Sequence, residues 1–129
     1  DAAGTLLWVF GLTFEAVGDR QLASFKRNPQ NKGRVMDRGL WRYTRHPNYF
    51  GEAVLWWGIF LVAASVSMGF VSIIGPITIT FLLLRVSGAP MLERGLRSRR
   101  PGYEDYIRRT SAFIPLPPKP SGDRPPGSD

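Results

Sequence analysis

Residues 45–52 place several side chains capable of chemistry close together, and their sequence is RHPNYFGE. The guanidinium of Arg45 is a forked donor suited to phosphate or carboxylate. Asn48 and Tyr49 offer neutral hydrogen bonds, and Glu52 can accept hydrogen bonds from hydroxyl or amide groups. This combination predicts a binding site of the kind that holds a cofactor, and it does not by itself make a catalytic centre.

The residue between the histidine and the asparagine sets the local backbone. Pro47 disfavours helical geometry at His46 and is itself favoured in the first turn of a helix. We therefore expect a helix to begin close to Pro47, so that its free N–H groups add affinity for an anion beside Arg45. A purely structural alternative is that residues 45–47 form a cluster at a membrane boundary, with Tyr49 at the interface.

His46 is the only histidine in the chain. A lone histidine more often caps or hydrogen-bonds its own loop than it catalyses, and no histidine-rich metal site is expected. The sequence contains no convincing Ser-His-Asp arrangement, GxGxxG loop or GxxxxGK loop. Any cofactor must therefore be held by a site of another type.

The segment that follows the motif is strongly apolar. No charged residue occurs between Glu52 and Arg85. A helix that is apolar all round is either deeply buried or faces lipid, and a chain of 129 residues has little interior in which to hide two. Because one crossing needs about 20 apolar residues, we predict two membrane helices, residues 48–66 and 69–87, with a turn near Met68.

Another apolar segment, residues 2–14, opens the chain. It lacks the basic region and the cleavage site of a signal peptide, and we expect a membrane helix that continues through Phe25. The predicted fold class is all-α: a multi-helix integral membrane bundle with about three membrane helices, a cytoplasmic loop and an interfacial helix. Residues 1–118 would be the C-terminal part of such a domain, and residues 119–129 a disordered tail.

Charge sets the expected orientation. All 17 Lys and Arg residues lie either between Arg20 and Arg45 or from Arg85 onward. The positive-inside rule then places loop 20–45 and the C-terminus in the cytoplasm of a multi-pass membrane protein. The net charge of +7 could indicate nucleic acid, but the basic residues flank apolar segments. We therefore expect membrane lipids as partners and no nucleic acid.

Four further residues are candidates for the binding site because they lie near the ends of the predicted apolar segments. Asp19 and Lys26 are about two helical turns apart and could share a face with each other, although a solvated helix end is an equal alternative. Arg85 and Glu93 fall where the apolar segment gives way to a charged one, and both could point back toward the motif. The chain has no cysteine, which excludes a disulfide framework and cysteine-based metal or redox chemistry.

Several motifs together resemble the bacterial steroid 5-alpha-reductase-like membrane proteins. They are GLWRYTRHPNYFGE at 39–52, WWG at 56–58, VSGAPMLE at 86–93, YEDY at 103–106 and RTSAFIP at 109–115. The resemblance extends to about Pro118 and corresponds to that family's C-terminal half. The wider superfamily includes steroid and sterol reductases and isoprenylcysteine carboxyl methyltransferases. The resemblance implies a helical bundle in a bacterial inner membrane. Its cofactor cavity would open to the cytoplasm, and its lipid-like substrate would enter from the bilayer.

The resemblance also implies roles for individual residues. It assigns cofactor binding to positions that match the steroid reductases: Asp19, Lys26, Asn48, Glu52 and Arg85. Glu93 falls near a tyrosine of those reductases, and residues 45–47 resemble the Arg-His-Pro-x-Tyr signature of the methyltransferases and sterol reductases. The carbonyl-polarising groups of the reductases lie largely in the N-terminal half, so the catalytic residues are expected outside this chain, with Glu52 as a possible exception.

Three functions follow from the resemblance and the motif. In the first, NADPH is held by Asp19, Lys26, Arg45, Asn48 and Arg85, and hydride passes to a carbon–carbon double bond of a steroid- or isoprenoid-like lipid. In the second, S-adenosylmethionine is bound near Arg45, His46, Tyr49 and Glu93, and the product is a methylated lipid or prenylated thiol. The third is a non-catalytic, lipid-binding membrane protein. Residues 48–52 and 86–90 favour the first.

Overall fold

The computed structural model describes residues 2–86 and 89–119, and these residues are mostly helical. The helices are α1 (Ala2–Arg27), α2 (Pro47–Ala64), α3 (Ile74–Phe81), α4 (Ala89–Arg99) and α5 (Tyr103–Arg109). Short 3₁₀ turns cover Pro29–Asn31, Gly39–Arg42 and Gly69–Ile73, and a π-helical turn covers Leu82–Val86. The described residues contain no β-strand, which confirms the all-α class.

Helices α1 and α2 pack side by side through glycines. Gly4, Gly11 and Gly18 are buried on α1, and Gly51 and Gly58 are buried on α2. A Cβ atom on Gly11 would lie 2.4 Å from the backbone nitrogen of Leu55, and one on Gly58 would lie 2.5 Å from that of Trp8. The two backbones therefore touch directly, as they do in membrane helix pairs built on small residues.

Helices α2 and α3 form the predicted hairpin. The connection passes through Met68, whose φ of 64° is left-handed, and the indole Nε1 of Trp57 donates to Thr80 Oγ1 at 3.2 Å. The predicted single helix over residues 69–87 is divided into a 3₁₀ turn, α3 and a π-helical turn. One cause is Pro76, which cannot donate a backbone hydrogen bond and therefore favours the first turn of a helix.

One helical stretch in the described part of the chain is long and apolar enough to cross a membrane. It is Gly69–Arg99, which includes the undescribed positions 87 and 88, and its best window has a mean hydropathy of 1.9 with 12% of its residues buried. The apolar part ends at Leu84, because Arg85 and the charged residues of α4 follow. Helices α1 and α2 exist as predicted, but three membrane spans and their orientation stay predictions.

The best-buried side chains lie at one end of the helices. They include Trp41, Thr44, His46, Tyr103 and Tyr106, each no more than 5% exposed. By contrast, large apolar side chains along α1, α2 and α3 are exposed; among them are Leu6, Phe10, Ile59, Ile77 and Phe81. The tightly packed part of the molecule is therefore the region where α1 ends and α2 begins.

The loop before α2 and the chain after α5 hold each other in place. Thr44 and Ser111 form an isolated bridge, and Arg45 N donates to Ser111 O at 2.8 Å. The hydroxyl of Thr44 also donates to Phe113 O at 2.8 Å. Beyond Lys119, the predicted disordered tail lies outside the described residues.

Candidate functional site

The predicted motif lies where α2 begins. The helix starts at Pro47, as expected, with His46 in the N-cap position. His46 is completely buried, and its ring stacks on Tyr49 with a centroid separation of 5.4 Å. Its backbone carbonyl accepts from Phe50 N at 3.0 Å. The histidine is therefore held rigidly in the packed end of the molecule.

Glu93 of α4 joins Arg45 to His46. Its Oε1 accepts from Arg45 Nη1 at 2.6 Å and lies 2.8 Å from His46 Nε2. Burial alone would raise the pKa of Glu93, but the hydrogen bond from His46 and the charge of Arg45 hold that pKa below its usual 4.5. Glu93 is therefore ionised at neutral pH, and His46 Nε2 carries the proton that faces it.

Two buried atoms of this cluster are left for another group to contact. Arg45 Nε and His46 Nδ1 have no hydrogen-bond partner among the described residues. Arg45 Nε is a hydrogen-bond donor, and His46 Nδ1 is the ring nitrogen that Glu93 does not engage. Because buried polar atoms normally have a hydrogen-bond partner, these two atoms offer contacts to a ligand.

A second polar group lies on the facing sides of α1 and α2. Asn48 Nδ2 donates to Asp19 Oδ1 at 3.2 Å, and Asn48 Oδ1 accepts from Tyr49 N at 3.0 Å. Glu52 is half-buried one helical turn beyond Asn48. The stacking of Tyr49 on His46 connects this group to the Arg45 cluster.

A small cavity lies among the end of α1, the loop before α2, and helices α4 and α5. It encloses about 80 Å³ and has apolar walls that include Phe25, Trp41 and Leu92. The charged groups in its described lining are all cations: Lys26, Arg34, Arg45 and Arg100. An adjoining groove of about 560 Å³ adds Lys32 and Arg99. We call these two spaces together the basic cavity.

Two tyrosines of α5 wall the basic cavity. Burial raises the pKa of Tyr103 to about 12, so its phenol is neutral at physiological pH. The hydroxyl of Tyr106 donates to the carbonyl of Trp41, and the Trp41 indole donates to Gly18 O at 3.0 Å. These hydrogen bonds connect α5, the loop before α2 and α1, and they hold the wall of the basic cavity in place.

The structure brings eight of the nine predicted site residues into two connected groups. Lys26, Arg45, His46 and Glu93 lie at or beside the basic cavity, and Asp19, Asn48, Tyr49 and Glu52 lie at the α1–α2 face. Arg85 is exposed in the π-helical turn and makes no ion pair within the described residues. The neighbouring Ser87 and Gly88 of the predicted VSGAPMLE motif lie outside the described part.

Sequence reasoning missed Arg34 and Arg100. Arg100 Nη1 donates to the backbone carbonyl of Arg34 at 3.1 Å, which holds the two segments together at the mouth of the basic cavity. Neither residue belongs to a recognisable motif. Their position depends on how the loop after α1 folds against the end of α4, and no local pattern specifies that contact.

The chain is similar in sequence to a known protein family and to a named relative. Residues 1–110 match the family described as Protein of unknown function (DUF1295), which lies in the steroid reductase-like superfamily. Over 68 residues the chain is 34% identical to a protein of Ustilaginoidea virens named Probable O-methyltransferase ustE. That match covers 53% of this chain and 24% of the other protein, so the chain spans about a quarter of that relative's length. No solved structure matches the chain.

Proposed function

This chain belongs to the DUF1295 family, and we propose that it functions in a membrane-embedded, NADPH-dependent reductase acting on a carbon–carbon double bond of a lipid-like substrate. The observation that carries the proposal is the basic cavity, whose described charged lining is entirely cationic. NADPH presents a pyrophosphate and a further phosphate on its ribose, so its charge complements that lining. When bound, the cofactor supplies the hydride.

The residues present fit such a cofactor. The guanidinium groups of Arg34, Arg45 and Arg100 are suited to phosphate, and Arg45 Nε is a buried donor without a partner in the described chain. The apolar walls suit the flat rings of a dinucleotide. The inner space of about 80 Å³ admits only part of such a molecule, and the remainder would lie along the adjoining groove of about 560 Å³.

The contribution of this chain is to bind and orient. Glu93 holds Arg45 and His46 in fixed positions, and Asp19 holds the amide of Asn48. The Asn48 amide and the Glu52 carboxylate offer hydrogen bonds suited to an amide or to ribose hydroxyls. Holding a reactive group at the correct angle to its substrate can account for a large part of a rate enhancement.

The proposed setting is a multi-pass membrane domain. One stretch meets the length and hydropathy requirements of a span. The close glycine packing of α1 against α2 is of the kind found between membrane helices. Exposed apolar side chains such as Leu6, Phe10 and Ile77 suit lipid or neighbouring helices. Under the positive-inside rule, the basic cavity would then face the cytoplasm.

A second candidate is a methyltransferase that uses S-adenosylmethionine. One observation favours it, namely the match to the relative named as a probable O-methyltransferase. However, S-adenosylmethionine carries a sulfonium and an ammonium group beside its single carboxylate. Because the charged groups of the lining are cations, they repel the sulfonium and ammonium groups and attract phosphates. The electrostatics of the basic cavity therefore favour NADPH.

Cofactor binding by the full-length protein in detergent distinguishes these functions. We expect NADPH to raise the melting temperature, because a ligand present at 100 times its Kd stabilises the folded state by about 2.7 kcal/mol. S-adenosylmethionine at the same concentration should leave the melting temperature unchanged. Stabilisation by S-adenosylmethionine alone would establish the methyltransferase instead, and indifference to both would leave a non-catalytic lipid-binding protein as the better account.

A further inference from the structure

A second basic surface lies apart from the basic cavity. It is a groove of about 520 Å³ that shares no lining residue with the basic cavity, and we call it the Arg42 groove. Its lining residues are Asp37, Arg38, Gly39, Arg42, Arg109, Thr110, Pro118 and Lys119. We propose that the Arg42 groove binds the phosphate headgroup of an anionic phospholipid at the membrane surface. The proposal rests on the proposed membrane location and is independent of the reductase activity.

Three of the four cations in the groove are available to a ligand. Arg109 is occupied, because it pairs with Asp105 at 2.8 Å and with Asp37 at 3.5 Å. Arg38, Arg42 and Lys119, by contrast, make no ion pair among residues 2–86 and 89–119. Three cations without an internal counter-ion therefore line one groove, which gives it the charge complement of a phosphate.

The backbone holds these cations in place. Arg38 and Arg42 stand at the two ends of one 3₁₀ turn, Gly39–Arg42, whose first residue has a φ of 61° that glycine adopts readily. Across the groove, Lys119 N donates to Arg109 O at 2.8 Å. The basic side chains thus project from segments tied to the packed end of the molecule, which lowers the entropic cost of bringing them together on a ligand.

An exposed apolar strip adjoins the groove. Tyr43 directly follows Arg42 and is 43% exposed, and Ile114 and Leu116 are 60% and 53% exposed. Leu116 N donates to Tyr43 O at 3.0 Å, so these residues belong to one surface. Basic groups beside an exposed tyrosine and aliphatic side chains are typical of a surface that lies in the bilayer interface.

The proposed level of this apolar strip relative to the bilayer also suits a lipid headgroup. Phe113 packs edge to face on Phe50, in the first turn of α2, with ring centroids 5.6 Å apart. Phe50 in turn packs on Phe14 of α1 at 5.4 Å. The segment that carries Ile114 and Leu116 therefore lies beside the start of α2 and the end of the apolar part of α1, residues 2–14. We propose that both helices leave the bilayer at this level, which is the level of lipid phosphates. Inorganic phosphate has no apolar part and would gain nothing from the apolar strip.

The test compares two phospholipids that share their acyl chains and differ in headgroup, one anionic and one zwitterionic. Full-length protein in detergent is titrated with dioleoylphosphatidylglycerol or dioleoylphosphatidylcholine, and bound lipid is counted by native mass spectrometry. We expect preferential retention of the anionic lipid. The double variant Arg38→Gln/Arg42→Gln should weaken that binding roughly thirtyfold, since each basic residue near an anionic surface contributes about a factor of five.

Two matched variants complete the design. Arg20→Gln/Arg94→Gln removes the same charge at exposed positions outside the groove and should bind the anionic lipid as the wild type does. Arg38→Lys/Arg42→Lys keeps the charge and should also retain the lipid, which separates lost charge from lost folding. Equal retention of the two lipids, an equal loss in the Arg20/Arg94 control, or displacement of the lipid by millimolar inorganic phosphate would overturn the proposal.

Discussion

At the scale of single residues, Glu93 connects the parts of the candidate site. Its carboxylate contacts both Arg45 and His46, and the side chains of Arg45 and Glu93 are only 11% and 15% exposed. Removal of one partner from a buried ion pair leaves the remaining charge uncompensated, which commonly costs more than the pair contributes. The position of Arg45 at the basic cavity therefore depends on α4, a helix distant from the motif in sequence.

The first prediction concerns Glu93→Gln. Because the folded-state pKa of Glu93 lies below the usual 4.5, its ionised form stabilises the protein above about pH 4.5, and that stabilisation is lost as the pH falls through the lower, folded-state value. We expect the variant to be less stable at pH 7 by about 3 kcal/mol. Its melting temperature should also change less than that of the wild type between pH 5 and pH 3. Identical pH profiles for the two proteins would contradict the assigned ion pair.

The second prediction concerns Arg45→Ala. Loss of a charge-assisted hydrogen bond to a phosphate should weaken NADPH binding by about 1 to 3 kcal/mol, measured by fluorescence titration of the full-length protein. Arg94→Ala is the matched control, because Arg94 is exposed on α4 and makes no ion pair in the described chain. If both variants bind NADPH as the wild type does, Arg45 is not part of the site.

Residue-level prediction succeeded where the cause was local. Pro47 determines the helix start through its own ring, so the start of α2 could be predicted from three residues. The sequence indicated that Glu93 could point toward the motif, but it did not specify the contact with Arg45 and His46. Arg34 and Arg100 could not be found. The turn signal at residues 28–33 predicts a change of chain direction, but it does not specify the contact of this loop with the end of α4.

At the scale of elements, the spacing of α1 and α2 depends on glycines. A Cβ atom on Gly11 would lie 2.4 Å from a backbone atom of α2, whereas one on Gly75 of α3 would meet only the ring of Trp56 at 3.7 Å. The first position has no free space beside the facing backbone, and the second has ordinary van der Waals room. Gly11 and Gly75 therefore form a matched pair for substitution by alanine.

The third prediction follows from that pair. We expect Gly11→Ala to separate α1 from α2 and to destabilise the protein by about 1 to 3 kcal/mol. Gly75→Ala should be neutral or stabilise it by about 0.5 to 1 kcal/mol, since alanine favours helix. The melting temperatures of both variants in detergent provide the measurement. Similar effects at both positions would mean that α1 and α2 are not in backbone contact.

The glycine contact could have been predicted, and the division of the later helix could not. Gly4, Gly11 and Gly18 recur every seven residues, a spacing that keeps small residues on one helical face. Residues 69–84 contain no charged side chain, so the pattern alone indicates one helix. Pro76 marks a point where the 3₁₀ and α geometries can meet, but it does not specify the π-helical turn at Leu82–Val86.

At the scale of the whole molecule, the distribution of polarity differs from that in a small soluble domain. The packed end contains buried His46, Thr44 and Thr110, whereas large apolar side chains along the helices are exposed. An exposed apolar surface of this extent needs lipid or further protein to cover it. Charge lies at the two ends of the hairpin and none lies in its turn, which favours one orientation.

The fourth prediction tests that orientation. This chain has no cysteine, so a single cysteine introduced into it is the only thiol of this part of the protein. In intact cells, a membrane-impermeant maleimide should label Met68→Cys, in the exposed turn, and should not label Ser98→Cys, in α4, until the membrane is permeabilised. Equal labelling of both positions in intact cells would refute the proposed arrangement.

The most direct measurement of the central claim is the dissociation constant of NADPH for the full-length protein and for Lys26→Gln/Arg100→Gln. Both substituted side chains line the basic cavity, and each would lose a charge-assisted contact with phosphate. We expect saturable binding by the wild type, at least tenfold weaker binding by the double variant, and no saturable binding of S-adenosylmethionine by either protein. Unaltered NADPH affinity in the double variant, or saturable binding of S-adenosylmethionine alone, would contradict the assignment of the basic cavity to NADPH.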